Sequence, residues 1–407
     1  MSKFYITYRS KNPKQGLFKQ SPNTSKYALI MRPQLNKNIK IEYNPPTYTN
    51  EINDYQLYNF TRNPYFTNLY NHAIDYTLLN FLTQAKSFLE RTNFTKHKQD
   101  FYQLVRIPKK KGGFRDTYAP NQELMDLQKR ALFFLDYNFK IKEHNAAHAY
   151  VKKRDGVTNA NMHKYSKHFL KLDFSNFFPS ITKNLLESTL YSLAEFGIIN
   201  VEKNLINYES LKTYIFHTKT FLDILIEIAT LDGVLPQGSP LSPKLSNLVM
   251  IPYDYEILKL CSSKELSKSK IIYTRYADDI TFSSFHPINK SDSIQKIKEI
   301  LPPEIKINEA KTVYLKNTNR LFITGAKINK DNDVTYGHEK TAILKREIFH
   351  MLISLKNNNK DIKLNQEILG QLSYAMRIEP NKFKLILQNY CNKFHLNPKT
   401  IYKQLTN

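Results

Sequence analysis

Two adjacent acids, Asp278 and Asp279, lie between two short runs of β-branched and aromatic residues, Ile271–Arg275 and Ile280–Ser283. Each run has the composition of a strand, so the stretch predicts a hairpin with the acids at its tip. At roughly 4 Å and an effective dielectric near 20, two carboxylates repel by about 4 kcal/mol. Such a pair persists when solvent screens it, when one acid holds a proton, or when a divalent cation lies against it. Any fold built on this hairpin has to bring one of the three to its tip.

The rest of the chain bears on that choice. Its 407 residues are enough for a large core and two or three subdomains. The formal net charge of +24 argues for a polyanionic partner, and Lys and Arg are spread along the chain as they would be in a lined groove. No apolar run approaches the roughly 20 residues of a membrane-spanning helix. The start, Met1-Ser-Lys-Phe-Tyr5, lacks the apolar core of a secretory signal. Cys261 and Cys391 are too few and too far apart for a disulfide framework or a zinc site. These features together predict a protein of a reducing compartment, the cytoplasm, that touches nucleic acid and no membrane.

Residues 1 to about 60 show no sustained period and read as irregular or ordered by a partner. From about Asn68 to Arg91, the positions Ile74, Leu78, Phe81, Leu82, Ala85, Phe88 and Leu89 fall on one face of a helix. Two extended segments in Tyr102–Pro120 flank Lys109-Lys-Lys-Gly-Gly113, which predicts a basic hairpin. Glu123 to about Lys142 has a helical pattern. Lys167–Asp173 reads as a strand ending in an acid, followed by a helix over Thr182–Leu193. Residues 195–232 read as helical or irregular, with an insertion-like portion near 200–208. Leu235-Pro-Gln-Gly-Ser-Pro-Leu-Ser-Pro243 is a tight polar turn before a helix from Lys244 to about Leu260. A helix is expected over Lys290–Ile300, and a strand over Arg320–Asn329 turning at Gly325. Residues 338–407 read as basic helices with a break near Glu379-Pro380. His148 and His163 have no partners at zinc spacing.

The ordered set resembles the core motifs of reverse transcriptases over about residues 100–330. It comprises a strand-end Asp173, the Pro236-Gln-Gly238 turn before a helix and the Tyr276-Ala-Asp-Asp279 hairpin. The basic hairpin upstream and Asn308-x-x-Lys311 downstream extend it. The resemblance implies an α+β right-hand polymerase fold. It places an N-terminal extension at 1–98, fingers at 99–170, a palm at 171–335 with a fingers segment inserted at about 182–235, and a helical, RNA-binding thumb at 336–407. It also implies phosphoryl transfer to a primer hydroxyl assisted by two Mg²⁺ ions, with Mn²⁺ as a substitute. Asp173, Asp278 and Asp279 are then the catalytic metal ligands, helped by the carbonyl of Phe174. Hard oxygen donors suit Mg²⁺, which keeps several waters and needs few carboxylates.

By the same resemblance, Lys109, Lys110 and Arg115 hold the triphosphate of the incoming deoxynucleotide. Lys311 protonates the leaving pyrophosphate. Phe178, five residues after Asp173, stacks beneath the sugar and excludes a 2′-hydroxyl. Gln237 and Gly238 line the nucleotide and template, while Tyr276 and Gly325 serve the primer and template strands.

Two signatures narrow the resemblance to retron reverse transcriptases. Asn159-Ala-Asn-Met-His163 stands ten residues before Asp173 in the Asn-Ala-x-x-His pattern, and Ile323-Thr-Gly325 stands for Val-Thr-Gly at the start of the thumb. They imply that Asn159, His163 and Thr324 take part in RNA recognition. The implied partners are a structured non-coding RNA serving as template and primer, deoxynucleotides, the nascent single-stranded DNA, and an effector or toxin protein, in antiphage defence. Gln237-Gly-Ser-Pro-Leu-Ser-Pro243 departs from the usual Gln-Gly-Ala-Pro-Thr-Ser-Pro, and the first hundred residues exceed the usual leader. Both leave open another defence-associated or group II intron-like reverse transcriptase. From a different class, a catalytically idle RNA-binding scaffold is the rival reading.

Overall fold

The computed structural model describes residues 4–5, 32–33, 75–109, 112–138, 143–202, 208–263, 265–316, 321–357 and 361–397. Lys110, residues 203–207 of the expected insertion and the expected irregular character of residues 1–3, 6–31 and 34–60 lie outside them, whereas Phe4–Tyr5 and Arg32–Pro33, expected to be irregular, pair as two short antiparallel strands. The fold is α+β, in two compact units. The first is drawn from Met1–His144, Phe174–Lys259 and Gln295–Ile307, the second from Asn145–Asp173, Leu260–Ile294 and Asn308–Asn407.

In the first unit, helices Asp75–Arg91, Gln122–Asn138 and Tyr208–Ala229 share an apolar core. The expected face of the first helix is the buried one, since Phe81, Leu82, Ala85 and Phe88 are all inside. The Phe81 ring lies 5.2 Å from that of Phe134 and 6.0 Å from that of Phe221, close enough to add tilted ring contacts to the area buried. Helix Lys183–Glu202 runs well past the expected end at Leu193. Thr182 is its cap, accepting from the Leu185 amide at 3.2 Å, so the helix starts one residue later than expected.

The basic hairpin pairs Tyr102–Pro108 with Phe114–Pro120 through a continuous antiparallel register from Tyr102↔Pro120 to Pro108↔Phe114. Only its root is buried, so Ile107 and Phe114 near its tip stand in solvent. Gly112 and Gly113 take φ of 90° and 78° at the turn, and the Lys109 amide donates to the Gly113 carbonyl at 2.9 Å.

In the second unit, four antiparallel strands lie in the order Ile272–Tyr276, Asp279–Ser284, His168–Asp173 and Val313–Lys316. The strands of the Asp278-Asp279 hairpin each reach one residue closer to the acids than expected, leaving only Ala277 and Asp278 in the turn. Helix Gly156–Met162 sets Ala160 against Phe169 of this sheet and against Leu321, Ile323, Ala326 and Ile328 of a small three-stranded sheet. Thr324 and Gly325, with φ of 46° and 88°, make the two-residue turn of that small sheet. Helices His338–Lys356, Ile362–Ile378 and Pro380–Phe394 close around Leu344, Ile348, Leu352, Leu372 and Phe383. The expected break is met by Pro380 in the first turn of the last helix, where its missing N–H costs no hydrogen bond. Among the described residues no helix is long and apolar enough to cross a membrane.

Candidate active site

Strand pairing in the second unit brings the acids together. Asp173 and Asp279 are direct partners across adjacent antiparallel strands, and Asp278 occupies the turn beside them. Directly opposed like charges destabilise a sheet unless something neutralises them. Part of the neutralisation is visible. Lys311 Nζ donates to Asp173 Oδ2 at 2.8 Å, and this bond, ahead of all other causes, raises the lysine's pKa. The Asn308 amide donates to the Asp173 carbonyl at 2.7 Å, which fixes the short 3₁₀ turn Glu309–Lys311 that carries the lysine.

Asp279 is exposed at the start of its strand. Burial first, then the Asp278 carboxylate, and less strongly Asp173, raise its pKa against the opposing pull of Lys171 and Lys311. Three carboxylates thus stand near two lysines at the tip. That excess, carried on hard carboxylate oxygens, suits a divalent cation. With Asp173 paired to Lys311, no three His, Cys, Asp or Glu side chains among the described residues form a ready-made metal cluster.

The turn itself is held from inside. Ala277 adopts φ of 57°, a left-handed conformation that costs a non-glycine residue roughly 1 kcal/mol or more. Arg275 is wholly buried and its guanidinium donates to the Ala277 carbonyl at 3.4 Å. Its own amide and carbonyl bond Ala146 O at 2.7 Å and His148 N at 2.8 Å. Sequence reasoning missed this residue; the signal was an arginine inside an otherwise uncharged strand. Tyr276 pairs with Asp279 across the hairpin, and burial, then Asp155 and Asp279, raise its pKa.

The signature residues lie in the interior of the same unit. His163 is fully buried, with Nδ1 2.7 Å from Ser283 Oγ and Nε2 2.7 Å from Thr274 Oγ1, so it bridges the two strands of the Asp278-Asp279 hairpin. Asn159 is also buried, and its Oδ1 has no hydrogen-bond partner among the described residues. Thr324 Oγ1 donates to the Gly156 carbonyl at 2.6 Å, and Tyr374 Oη donates to Thr324 O at 2.8 Å. Asp155 caps helix Gly156–Met162 and accepts from Arg377 Nε at 2.8 Å. The signature helix is thus tied at one end to the Asp278-Asp279 hairpin and at the other to helix Ile362–Ile378. Burial rules out direct contact between RNA and the side chains of Asn159 and His163 in this conformation.

Burial also sets a pH dependence. Desolvation, with His148 nearby, depresses His163 to about 3, and desolvation, with Arg154 nearby, depresses His148 to about 4. The unfolded chain takes up these protons below about pH 6.5 while the folded chain refuses them, so stability falls as pH falls through that range. Going from pH 7 to pH 5 is expected to cost about 2 kcal/mol per histidine. Urea midpoints at the two pH values check this, and His163→Gln should remove about half of the acid sensitivity. An unchanged pH slope in that variant would refute the assignment.

Of the remaining expected site residues, Gly325 lies in the turn of the second unit's small sheet and the others belong to the first unit. Lys109 and Arg115 lie exposed at the tip of the basic hairpin, with Arg115 opposite Ile107. Phe174 is buried and stacks on Phe177 at 5.4 Å; Phe178 is half-buried, its ring 5.7 Å from Phe177. The Gln237 carbonyl accepts from the Tyr118 amide at 2.6 Å, which docks the Gln237-Gly238 turn on the root of the hairpin. Ser242 Oγ closes the turn by donating to Pro236 O at 2.7 Å.

A family model described as reverse transcriptase (RNA-dependent DNA polymerase) matches residues 107–336, from the basic hairpin through the small sheet. The chain belongs to the reverse transcriptase family. Among curated reverse transcriptases it is 31% identical over 300 residues to the retron Ec83 enzyme of Escherichia coli, covering 71% of this chain and 86% of that one. It is 28% identical over 293 residues to the retron Ec73 reverse transcriptase of the same organism, covering 70% and 85%. Among solved structures, apo telomerase from Candida tropicalis matches 57% of this chain and 54% of its own at 15% identity, with a TM-score of 0.35, too distant to bear on the site. The reverse transcriptase match takes in all three acids, the Gln237-Gly238 turn and Lys311.

Proposed function

We propose that the protein is a retron-type RNA-directed DNA polymerase that binds a structured non-coding RNA and copies part of it into single-stranded DNA joined to that RNA. The observation that carries the reading is the pairing of Asp173 with Asp279 beside Asp278, on a chain of this family whose curated relatives are retron enzymes. In this reading the four-stranded sheet is the palm, the basic hairpin belongs to the fingers and the three C-terminal helices are the thumb.

Asp173, Asp278 and Asp279 would hold two Mg²⁺ ions, or Mn²⁺, with the Phe174 carbonyl as a further oxygen donor. When bound, the ions lower the pKa of the attacking hydroxyl and stabilise the leaving oxygen. The protein's own work is positioning and charge placement. Lys311 exchanges its bond to Asp173 for the departing pyrophosphate, to which it delivers a proton. Lys109, Lys110 and Arg115 grip the triphosphate, Arg115 as a planar fork. Phe178 closes the space where a ribose 2′-hydroxyl would sit, and Gln237 with Gly238 lines the nucleotide and template. Tyr276 and Gly325 support the primer and template strands. Asn159, His163 and Thr324 act on RNA recognition by fixing the signature helix between the hairpin and the thumb. The setting is the bacterial cytoplasm, with an effector protein as partner in antiphage defence.

Co-expression with the neighbouring transcript tests this. The expected product is DNA that co-purifies with the protein and stays attached to RNA through a branch resistant to protease. Extension of a generic primed template with no DNA from the native transcript would refute the retron reading and leave the polymerase.

A further inference from the structure

The palm sheet has a second end. Asp173 and Asp279 mark one edge, whereas His168, Ser284 and Lys316 are register partners at the other. Five residues of strand, at about 3.4 Å each, put roughly 17 Å between the two. At this far end the loop after the signature helix runs Met162-His-Lys-Tyr-Ser-Lys-His168. Tyr165 is 69% exposed, Phe285 53% and Met162 51%, an apolar surface that no part of the described second unit covers. Lys167 Nζ sits 4.0 Å above the Phe285 ring and Lys164 Nζ 4.7 Å above the Tyr165 ring.

Hydrogen bonds make the surface one built structure. The Lys167 amide donates to Ser284 O at 2.9 Å, and Ser166 Oγ lies 2.8 Å from Ser283 Oγ. Ser269 Oγ lies 2.6 Å from Ser284 Oγ and accepts from the His286 amide at 3.3 Å, which brings in its exposed neighbours Lys268 and Lys270. The segments 162–168, 268–270, 284–287 and 313–316 contain five lysines and no Asp or Glu. His168 registers that charge: after burial, Lys316, His286 and Lys167 lower its pKa.

Exposed rings flanked by ammonium groups, with Glu265 beside Lys268 as the nearby acid, fit unpaired bases and their phosphates. We infer that the end of the palm sheet remote from the acids, centred on Tyr165 and Phe285 with Lys164, Lys167 and Lys316, is a docking surface for single-stranded RNA outside the copied duplex. The inference rests on the RNA-binding reading above. The surface would hold an uncopied, unpaired stretch of the RNA while the acids work on another part.

The test uses the full chain in the presence of excess primed RNA–DNA duplex, titrated with a fluorescein-labelled 20-mer of oligouridine. Tyr165→Ala and Phe285→Ala are each expected to weaken oligouridine binding about tenfold, while extension of the primed duplex stays at the wild-type rate. Lys164→Gln, Lys167→Gln and Lys316→Gln should each flatten the dependence of log K on log salt by about 0.7. These lysine variants carry the test should an aromatic variant fail to fold. Unchanged oligouridine affinity in both sets overturns the inference. So does loss of extension in step with affinity at an unchanged melting temperature, which would assign the surface to the duplex. Transfer of binding to phosphatidylserine vesicles, with oligouridine affinity unaffected, overturns it in favour of lipid. A wild-type protein that binds oligouridine in this way but extends no primer would refute the polymerase reading and leave the surface standing.

Discussion

Asp278→Asn is expected to abolish DNA synthesis, by about a thousandfold or more, while leaving RNA binding intact. The magnitude follows from the several kcal/mol that a properly held cation contributes to a phosphoryl-transfer transition state, at 1.36 kcal/mol per tenfold in rate. The same substitution should change stability in the opposite sense. Asp279 has its pKa raised, with the Asp278 carboxylate the second largest cause after burial. An acid whose folded pKa lies above its unfolded value stabilises nothing when ionised. Stability instead declines as pH rises from the unfolded to the folded pKa. Removing the neighbouring charge therefore relieves the fold, and the melting temperature without divalent cation should rise slightly. The further rise on adding Mg²⁺ or Mn²⁺ should shrink, because a ligand stabilises only through a site it can occupy. Primer extension, RNA retention and thermal melting with and without cation measure the three effects. Synthesis within tenfold of wild type would remove Asp278 from the reaction. An inactive variant with full biological activity would favour the RNA-binding scaffold.

The parts of this fold legible in the sequence are those with a local physical cause. The Asp278-Asp279 hairpin is legible in two β-branched runs around a polar pair, and the C-terminal helices in their period and Pro380. The pattern over Lys290–Ile300 predicts the bounds that the helix has. Long-range pairing was not legible. Nothing in the local pattern shows that Lys311 neutralises Asp173, 138 residues away. Nor does it show that His163 bridges Thr274 and Ser283, at separations of 111 and 120 residues. The motif around His163 drew attention as a string associated with RNA, but its histidine is interior and its asparagine buried. The exposed Lys164-Tyr165 pair just beyond the motif carried no pattern of its own. It gains meaning only when the register sets His168, three residues on, opposite Ser284 and Lys316 and Lys167 covers the Phe285 ring. Arg275 was hidden for a similar reason, since a buried arginine is explained by the carbonyl it holds and not by its neighbours in sequence.

Gly238→Ala is expected to damage both stability and synthesis, and a comparison with Gly233→Ala isolates the cause. Both glycines have positive φ, 112° at Gly238 and 77° at Gly233. A side chain in that backbone region costs about 1–2 kcal/mol at either position. The surroundings differ. A Cβ at Gly233 meets nothing within 4 Å, whereas one at Gly238 would lie 2.7 Å from Thr117 Cγ2 and 2.7 Å from the Tyr118 carbonyl oxygen. Thr117 can rotate, but the Tyr118 carbonyl is backbone, and the Tyr118 amide is bonded to Gln237 O at 2.6 Å. Relieving the overlap therefore pulls apart the bond that docks the turn on the root of the basic hairpin. Overpacking of this kind adds about 1–3 kcal/mol, so Gly238→Ala should cost more than Gly233→Ala by that amount in denaturant midpoints. Its second effect is on nucleotide use. A displaced hairpin carries Lys109 and Arg115 with it, so the KM for deoxynucleotides should rise at least tenfold. The cation-dependent gain in melting temperature, which depends on acids of the other unit, should persist. Equal stability losses in the two variants would mean that the turn tolerates the side chain and that Gly238 does not set the hairpin's position.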